Sequence, residues 1–275
     1  MPSLSLIISV YNKPDHLRLV LAACERQSFR DFEVVVGDDG SREEVEEVVQ
    51  EAQREYTFPL VYCWQEDIGW RKNMMLNKAI LASSGEQLVF MDGDCVPSRH
   101  FLRDHWDNRG PGMLLVGRRA EMSRRWSEAL TLEQVRSGEF ERLGWRELME
   151  SFRGEMFRFE DGIRIPSGVL RKLLLRKADG LLGSNFSAAK ADLVAVNGFD
   201  ELYDGPGCGE DTDLQYRLGL IGVRGVSLRN LAIQFHLHHP RTATSQTSWD
   251  RFHLVVRRSG EPRCSAGIVK DDLSQ

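Results

Sequence analysis

The chain lacks any run of about 20 apolar residues, so no membrane-spanning helix is expected. Its apolar start, residues 4–10, has no basic leader and no small-residue cleavage site behind it, which argues against a secretory signal. Cysteine is sparse: five, scattered, odd in number and without a C-x-x-C pair. That excludes a zinc ribbon or a disulfide framework and predicts reduced thiols in a cytoplasmic protein. Positive charge is not in excess either, since Lys+Arg 36 against Asp+Glu 41 leaves a net charge of −5. Nucleic acid is therefore not an expected partner. No internal repeat or low-complexity linker is evident. What remains is a soluble globular composition, 41% hydrophobic and 28% charged over 275 residues, with ample material for a core.

The first third alternates two periodicities. Residues 4–10, 32–36, 59–64 and 87–91 are short apolar runs that read as strands. Residues 14–26, 42–55 and 71–83 place apolar side chains at helical spacing between them. This rhythm predicts a mostly parallel sheet covered by helices, in which ligands bind beyond the carboxyl ends of the strands. Val10-Tyr11-Asn12, Asp38-Asp39 and Asp92-Gly93-Asp94 all fall at such ends, so three polar clusters converge on one edge.

Between residues 118 and 180 the alternation stops. We read this segment as a largely helical insert, with a solvated, salt-bridged Arg/Glu surface and aromatics forming local core. The functional alternative is a lid or an acceptor-binding wall. Strand-like sequence resumes at residues 181–188, a short helix follows at 190–196, and the Gly-rich residues 204–209 lead into a helix opening with Glu210 and Asp211. Residues 224–228 and 231–236 read as strands and end in His236-Leu237-His238-His239-Pro240. The expected organisation is one domain over residues 1–240. Residues 1–117 form its first half, 118–180 its insert and 181–240 its second half (the nucleotide-sugar and acceptor halves by the family resemblance described below), and a peripheral polar tail follows at 241–275.

Two carboxylates one residue apart at a strand end pack poorly but suit a hard divalent cation that also binds phosphate oxygens. An acidic turn is the plain alternative for Asp92-Gly93-Asp94. A nearby imidazole such as His236 favours Mn2+ over Mg2+. Arg71 and Lys72, at a helix start, can neutralise a diphosphate. An acceptor hydroxyl attacking an anomeric carbon needs a base, and Asp211 is the candidate. Asp213, two residues on, faces elsewhere on the helix.

Together these residues resemble glycosyltransferase family 2, the inverting enzymes of the GT-A fold. The likeness covers roughly residues 4–116 and 181–240. Ile8-Ser9-Val10-Tyr11-Asn12-Lys13 is similar to the family's first strand and nucleotide-contacting turn, and Asp38-Asp39-Gly40-Ser41 to its Asp-Asp-Gly-Ser motif. Gly69-Trp70-Arg71-Lys72-Asn73 resembles its basic segment, and Asp92-Gly93-Asp94 its DxD motif. Asn197-Gly198-Phe199-Asp200-Glu201 and Gly209-Glu210-Asp211-Thr212-Asp213-Leu214 resemble the acceptor side of galactosyl- and N-acetylgalactosaminyltransferases, including bacterial chondroitin-type polymerases.

The resemblance implies a three-layer α/β/α GT-A domain and a UDP-sugar donor whose uracil meets Asp39. Ser9, Tyr11, Asn12, Arg71 and Gly93 would lie near the nucleotide, and Asp92 on the ribose or the metal's water shell. Asp94, His236 and His239 would hold Mn2+ or Mg2+. Asp211 would be the catalytic base, with Glu210 holding acceptor or donor sugar. The acceptor would be a glycan, a polysaccharide or a lipid-linked sugar, reached in the cytoplasm or at the inner membrane face as a peripheral protein. One departure stands out: relatives often carry an aromatic in the loop before the Glu-Asp pair. Here that platform is absent or is supplied by Tyr203 or the insert. A sugar-nucleotidyltransferase would instead open with a Gly-rich loop in place of Ser9-Val10-Tyr11-Asn12. A non-catalytic nucleotide-sugar-binding protein would tolerate Asp211→Asn.

Overall fold

The computed structural model describes residues 1–174, 180–205, 209–240 and 246–270. Part of the Gly-rich stretch, with Cys208, and the first residues of the tail lie outside these. Strand β1 (Leu4–Val10) lies inside the sheet, with apolar side chains on both of its faces. Leu4, Leu6, Ile8 and Val10 point to one layer and Ile7 to the other. Helix α1 (Pro14–Glu25) has proline in its first turn and buries Leu17, Val20, Leu21 and Cys24 on the first layer. The chain continues through β2 (Phe32–Asp38), α2 (Glu43–Glu55), β3 (Leu60–Trp64), α3 (Lys72–Ala82) and β4 (Gln87–Asp92), within a residue or two of the sequence reading.

Next come β5 (Cys95–Pro97), α4 (Phe101–Asn108) and β6 (Met113–Val116). The insert follows as β7 (Ala120–Glu121), α5 (Arg124–Ala129), α6 (Leu132–Ser137), α7 (Trp145–Phe152) and α8 (Gly168–Leu174). The second half adds β8 (Phe186–Ala189), α9 (Lys190–Ala195), α10 (Glu210–Leu220), β9 (Arg224–Ser227) and β10 (Gln234–His236), and then α11 (Gln246–Arg251) and α12 (Arg257–Ser259).

Seven strands form the main sheet in the order β3-β2-β1-β4-β8-β6-β9. The β3-β2-β1-β4 block is parallel, β8 is antiparallel to both neighbours, and β6 pairs with β9 in parallel. The layer opposite α1 and α2 contains α3, α9 and α10, closed over Phe90, Phe186 and Phe199. Phe90 and Phe186 stack at 4.4 Å, and each such ring adds about 1.5–3 kcal/mol by burial. This is the mixed α/β, largely parallel architecture the sequence led us to expect.

A second, three-stranded sheet, β5-β10-β7, sits beyond the carboxyl edge of the first. Its register aligns His236 with Cys95 on one side and Glu121 on the other. The insert is tied to the body at several points. Trp126 stacks on Phe235, Phe140 packs edge-on against the same ring, and Val135 and Met156 join the main core. Its charges pair as expected of a salt-bridged surface, among them Arg164 with Asp104, Arg26 with Glu141 and Arg136 with Glu55.

Two expectations fail. Trp145, Phe152 and Phe157 are exposed rather than local core. The tail is not peripheral: Phe252, Val256, Cys264 and Ala266 are buried, and its polar groups pair with Asn197 and Asp200. Asn197 donates to the carbonyls of Cys264 and Val269, and Arg251 pairs with Asp200. Among the described residues no helix is long and apolar enough to cross a membrane.

Candidate active site

The parallel register of β1, β2 and β4 brings Ser9 beside Asp92 and Val10 beside Asp38, so the three polar strand ends form one ledge. Above it lies a cleft of about 1660 Å³ lined by Ser9, Tyr11, Lys13, Asp39, Lys72, Asp92, Gly93, Asp94, Arg119, Glu121, His236 and His239, and by residues of the insert. At one end Asp39 accepts from the Arg71 backbone N–H (2.9 Å) and the Gln65 amide (2.5 Å). Burial raises its pKa, and these two donors work against the rise. Tyr11 is 49% exposed and donates to Asp67. Asn12, Arg71, Glu210 and Asp211 do not line the cleft. Asn12 adopts φ +50°, which asparagine tolerates, and ties the Ser41 turn by accepting from the Arg42 N–H. Arg71 contributes its backbone to Asp39, whereas the ammonium that reaches the acidic floor belongs to Lys72.

Lys72 lies 2.6 Å from Asp92, which also accepts from Ser9 Oγ (2.9 Å). Burial would raise the Asp92 pKa, but Lys72 and Arg119 outweigh it and hold the carboxyl below its ordinary value. Gly93 fits because a Cβ there would meet the Ser9 carbonyl at 3.1 Å and Val10 at 3.2 Å. Asp94 faces a different set: His239 Nε2 at 3.2 Å, His236 Nε2 at 3.5 Å and Lys13 Nζ at 2.7 Å. Against the burial that opposes ionisation, these groups keep Asp94 well below the usual carboxylate range.

The histidine geometry tests whether a cation fits. His236 Nδ1 meets the Glu121 carboxylate at 2.7 Å, and His239 Nδ1 meets the Pro240 carbonyl at 2.8 Å. Both partners only accept, so both Nδ1 atoms carry the proton. In the neutral rings each Nε2 is then a lone pair, yet the two Nε2 atoms face one another at 3.2 Å beside the Asp94 carboxylate. Three acceptors converging on one point need a positive charge between them: a proton, which the raised pKa of His236 between Asp94 and Glu121 favours, or a cation. A divalent ion with mixed imidazole and carboxylate ligands fits this set. Glu121 supplies the outer carboxylate that commonly orients a metal-binding imidazole. Asp94, Cys95 and His236 also cluster within 4.8 Å. Burial and the Asp94 charge raise the Cys95 pKa well above its ordinary value, so it stays a neutral thiol and a poor ligand.

Asp211, in the first turn of α10, is half-buried and accepts from the Gly183 N–H at 2.7 Å. Burial and the neighbouring Glu210 charge raise its pKa to about 7, against the pull of Lys72 and Gly183. Lys72 is thus shared, since Asp92, Asp211 and Glu210 all stabilise its ammonium form. Gly183 is required here because a Cβ would lie 2.5 Å from Asp211 Oδ1. Asp213 turns into the protein and pairs with Arg217 at 2.7 Å. Tyr203, one candidate for a sugar platform, is 1% exposed and cannot offer its face.

The sequence reading missed Lys13, Arg119, Glu121 and Gly183. Arg119 bridges Glu121 (2.9 Å), Ser184 (3.1 Å) and Asp92 (3.7 Å). Its position at the entry to an Arg/Glu-rich segment gave no signal that distinguishes it from the segment's surface charges.

A family model described as Glycosyl transferase family 2 matches residues 5–160. Chondroitin synthase of Escherichia coli is 26% identical over 256 residues, covering 86% of this chain and 35% of that protein. Validoxylamine A glucosyltransferase of Streptomyces hygroscopicus subsp. jinggangensis is 27% identical over 274 residues, covering 92% and 60%. The chain therefore spans less than two thirds of the length of these relatives. Among solved structures, the mannosyltransferase PcManGT from Pyrobaculum calidifontis, in complex with GDP-Man and Mn2+, matches with a TM-score of 0.57 at 18% identity, covering 94% of this chain and 63% of that one. S. aureus TarS 1-349 in complex with UDP-GlcNAc matches at 0.56 and 17% identity, covering 87% and 60%. With more than half of the chain matched by one family model, the protein belongs to glycosyltransferase family 2, and its fold is the GT-A fold of these structures.

Proposed function

We propose that the protein transfers a hexose or N-acetylhexosamine from a UDP-sugar, with inversion, to a hydroxyl of a glycan, polysaccharide or lipid-linked acceptor. The observation that carries this reading is the pairing of two environments. Asp92 and Asp94 are held ionised among cations, while Asp211 sits at a pKa of about 7 nearby. A carboxylate poised near neutrality can take a proton from an acceptor hydroxyl. As that oxygen bonds to the anomeric carbon, the bond from that carbon to the diphosphate breaks and its electrons leave with the nucleotide. Lys72 and Arg119 lie where they offset the charge that develops on it. Asp94, His236 and His239 would hold Mn2+ or Mg2+, which supplies Lewis-acid stabilisation of the leaving diphosphate. Asp39 and Tyr11 both line the cleft, where Asp39 would read a base through hydrogen bonding and Tyr11 would offer its exposed ring. Uracil as that base is supported by the UDP-GlcNAc bound to TarS, while PcManGT binds GDP-Man with Mn2+.

The test is nucleotide release across a panel of UDP- and GDP-sugars with and without Mn2+. Turnover selective for one UDP-sugar, dependent on Mn2+ and lost in both Asp94→Ala and Asp211→Asn, is the expected result. Turnover of GDP-sugars alone would overturn the donor assignment, and full activity of Asp211→Asn would overturn the base.

A further inference from the structure

The cleft is larger than one substrate needs. Its volume of about 1660 Å³ exceeds the roughly 300–1000 Å³ of a site for one small ligand. The ledge of Asp39, Asp92 and Asp94 accounts for a nucleotide along one side, and the insert builds the other. Among the described residues three rings of Phe, Tyr or Trp line the cleft: Tyr11, Trp70 and Phe157. Tyr11 follows β1, and Trp70 adjoins Arg71, whose N–H meets Asp39. Phe157 belongs to the insert and stands apart from both.

Backbone pairing fixes where Phe157 points. Its N–H donates to the Glu121 carbonyl (3.0 Å), and its carbonyl accepts from the Glu121 N–H (2.9 Å). Phe157 therefore extends the row Cys95, His236, Glu121 of the small sheet by one position. Residues directly opposite one another in a sheet share a face, so the ring lies on the face that carries the His236 and Glu121 side chains. Two strand spacings put its Cα about 10 Å from that of His236. The preceding residue obeys the alternation: Met156 is 1% exposed and packs in the core. With both backbone groups bonded and Met156 filling the space below, the Phe157 ring is held outward, 55% exposed.

The polar groups of the same wall show what such a ring suits. Arg124, Arg125, Glu128 and Glu155 line the cleft from the insert side, two of each sign. They offer donors and acceptors without an excess of either charge, which matches hydroxyl groups better than a phosphate or a cation. A pyranose has hydroxyls around its edge and C–H groups on its face, and those C–H groups settle on the negative face of an aromatic ring.

We propose that Phe157 is the stacking platform for a pyranose ring of the acceptor, on the wall opposite Asp211. The segment around Met156 packs into the layer of α1 and α2, whereas α10, whose first turn carries Asp211, packs into the other. The ledge that would anchor the nucleotide runs between them, so a sugar on Phe157 is a second ligand beyond the donor. Its identity as the acceptor rests on the proposed function, whereas the sugar platform rests on the geometry.

The test is saturation-transfer NMR of the methyl β-glycosides of glucose, galactose, N-acetylglucosamine and N-acetylgalactosamine on the full chain with Mn2+ and UDP. Wild type is compared with Phe157→Tyr and Phe157→Leu, since leucine keeps the apolar bulk and the backbone bridge but has no flat face. At least one glycoside should bind wild type and Phe157→Tyr alike and about tenfold more weakly to Phe157→Leu, with UDP affinity unchanged. No glycoside bound by wild type, or equal binding by Phe157→Leu, overturns the platform. Weaker binding of a UDP-sugar by Phe157→Leu would put the ring on the donor and overturn the acceptor assignment. A wild type that binds a glycoside through Phe157 yet releases nucleotide from no donor tells against the transferase, not against the platform.

Discussion

At the scale of single residues, the proposed chemistry depends on carboxylates kept in opposite states. Asp211 has a pKa of about 7, above the ordinary carboxylate value, through burial and the Glu210 charge. As a base it must be ionised, so kcat/KM should rise with pH through an apparent pKa near 7. Asp211→Asn should abolish that limb together with the activity. Stability follows the opposite sign. With the folded pKa raised, the contribution of Asp211 is fully present below about pH 4 and is lost as pH rises through about 7. Asparagine cannot ionise and still accepts from Gly183. The variant should therefore gain on the order of 1–2 kcal/mol over wild type above pH 7, and nothing at pH 4, in urea unfolding.

Glu121 is a positioning residue for His236. The Glu121 pKa is lowered to about 2, because His236 and Arg119 overcome the burial that opposes its charge. Glu121→Gln keeps the shape and removes the charge. It should weaken Mn2+ binding about tenfold or more in a paramagnetic titration, with Tm and metal-free UDP affinity unchanged. Unaltered Mn2+ affinity would remove Glu121 from the role. Asp94, His236 and Asp211 were legible in the sequence because each type is conspicuous at a strand or helix end. Glu121 and Gly183 were not, because they act on residues 115 and 28 positions away.

At the scale of elements, what could be read followed the length of the periodic signal. Strands β1, β2 and β4 announce themselves by buried runs of six or seven residues. The β5-β10-β7 sheet, which sets Glu121 beside His236, is built from strands of two or three residues that carry no period at all. Helix α10 shows a different limit. Its spacing predicted that Asp213 turns away from Asp211, but nothing local showed what it turns toward. Arg217, 1% exposed, lies 2.7 Å from Asp213 and donates to the carbonyls of Val196 (2.7 Å) and Gly198 (2.9 Å). It therefore anchors the helix that carries Asp211 to the turn after α9. Arg217→Ala strands a buried carboxylate and should cost about 3–5 kcal/mol in urea unfolding. Asp213→Asn/Arg217→Met, which removes both charges, should cost clearly less. Equal losses in the two variants would show that the ion pair is not what holds α10.

At the scale of the molecule, residues distant in sequence complete one another, and the tail is the clearest case. Its composition is polar, which is why it read as peripheral, but its few apolar residues pack against the body, on residues 181–240 among others. Phe252 packs edge-on against Tyr216 of α10, and Asn197 hydrogen-bonds the backbone of residues 264 and 269. A chain ending at residue 240 would leave Asp200, 2% exposed, without Arg251 and the Asn197 amide without acceptors. Asp200 would keep the Leu202 N–H (3.0 Å) but lose its ion pair, and each lost hydrogen bond of Asp200 and Asn197 costs about 0.5–1.5 kcal/mol. Lost burial of Phe252 and Val256 adds about 1.5–3 kcal/mol apiece. Together these approach the whole stability of a typical domain, about 5–15 kcal/mol. The truncated chain should therefore fail to show a cooperative thermal transition. If its Tm instead matches that of the full chain, the domain ends at 240 after all, and the tail is only laid over it.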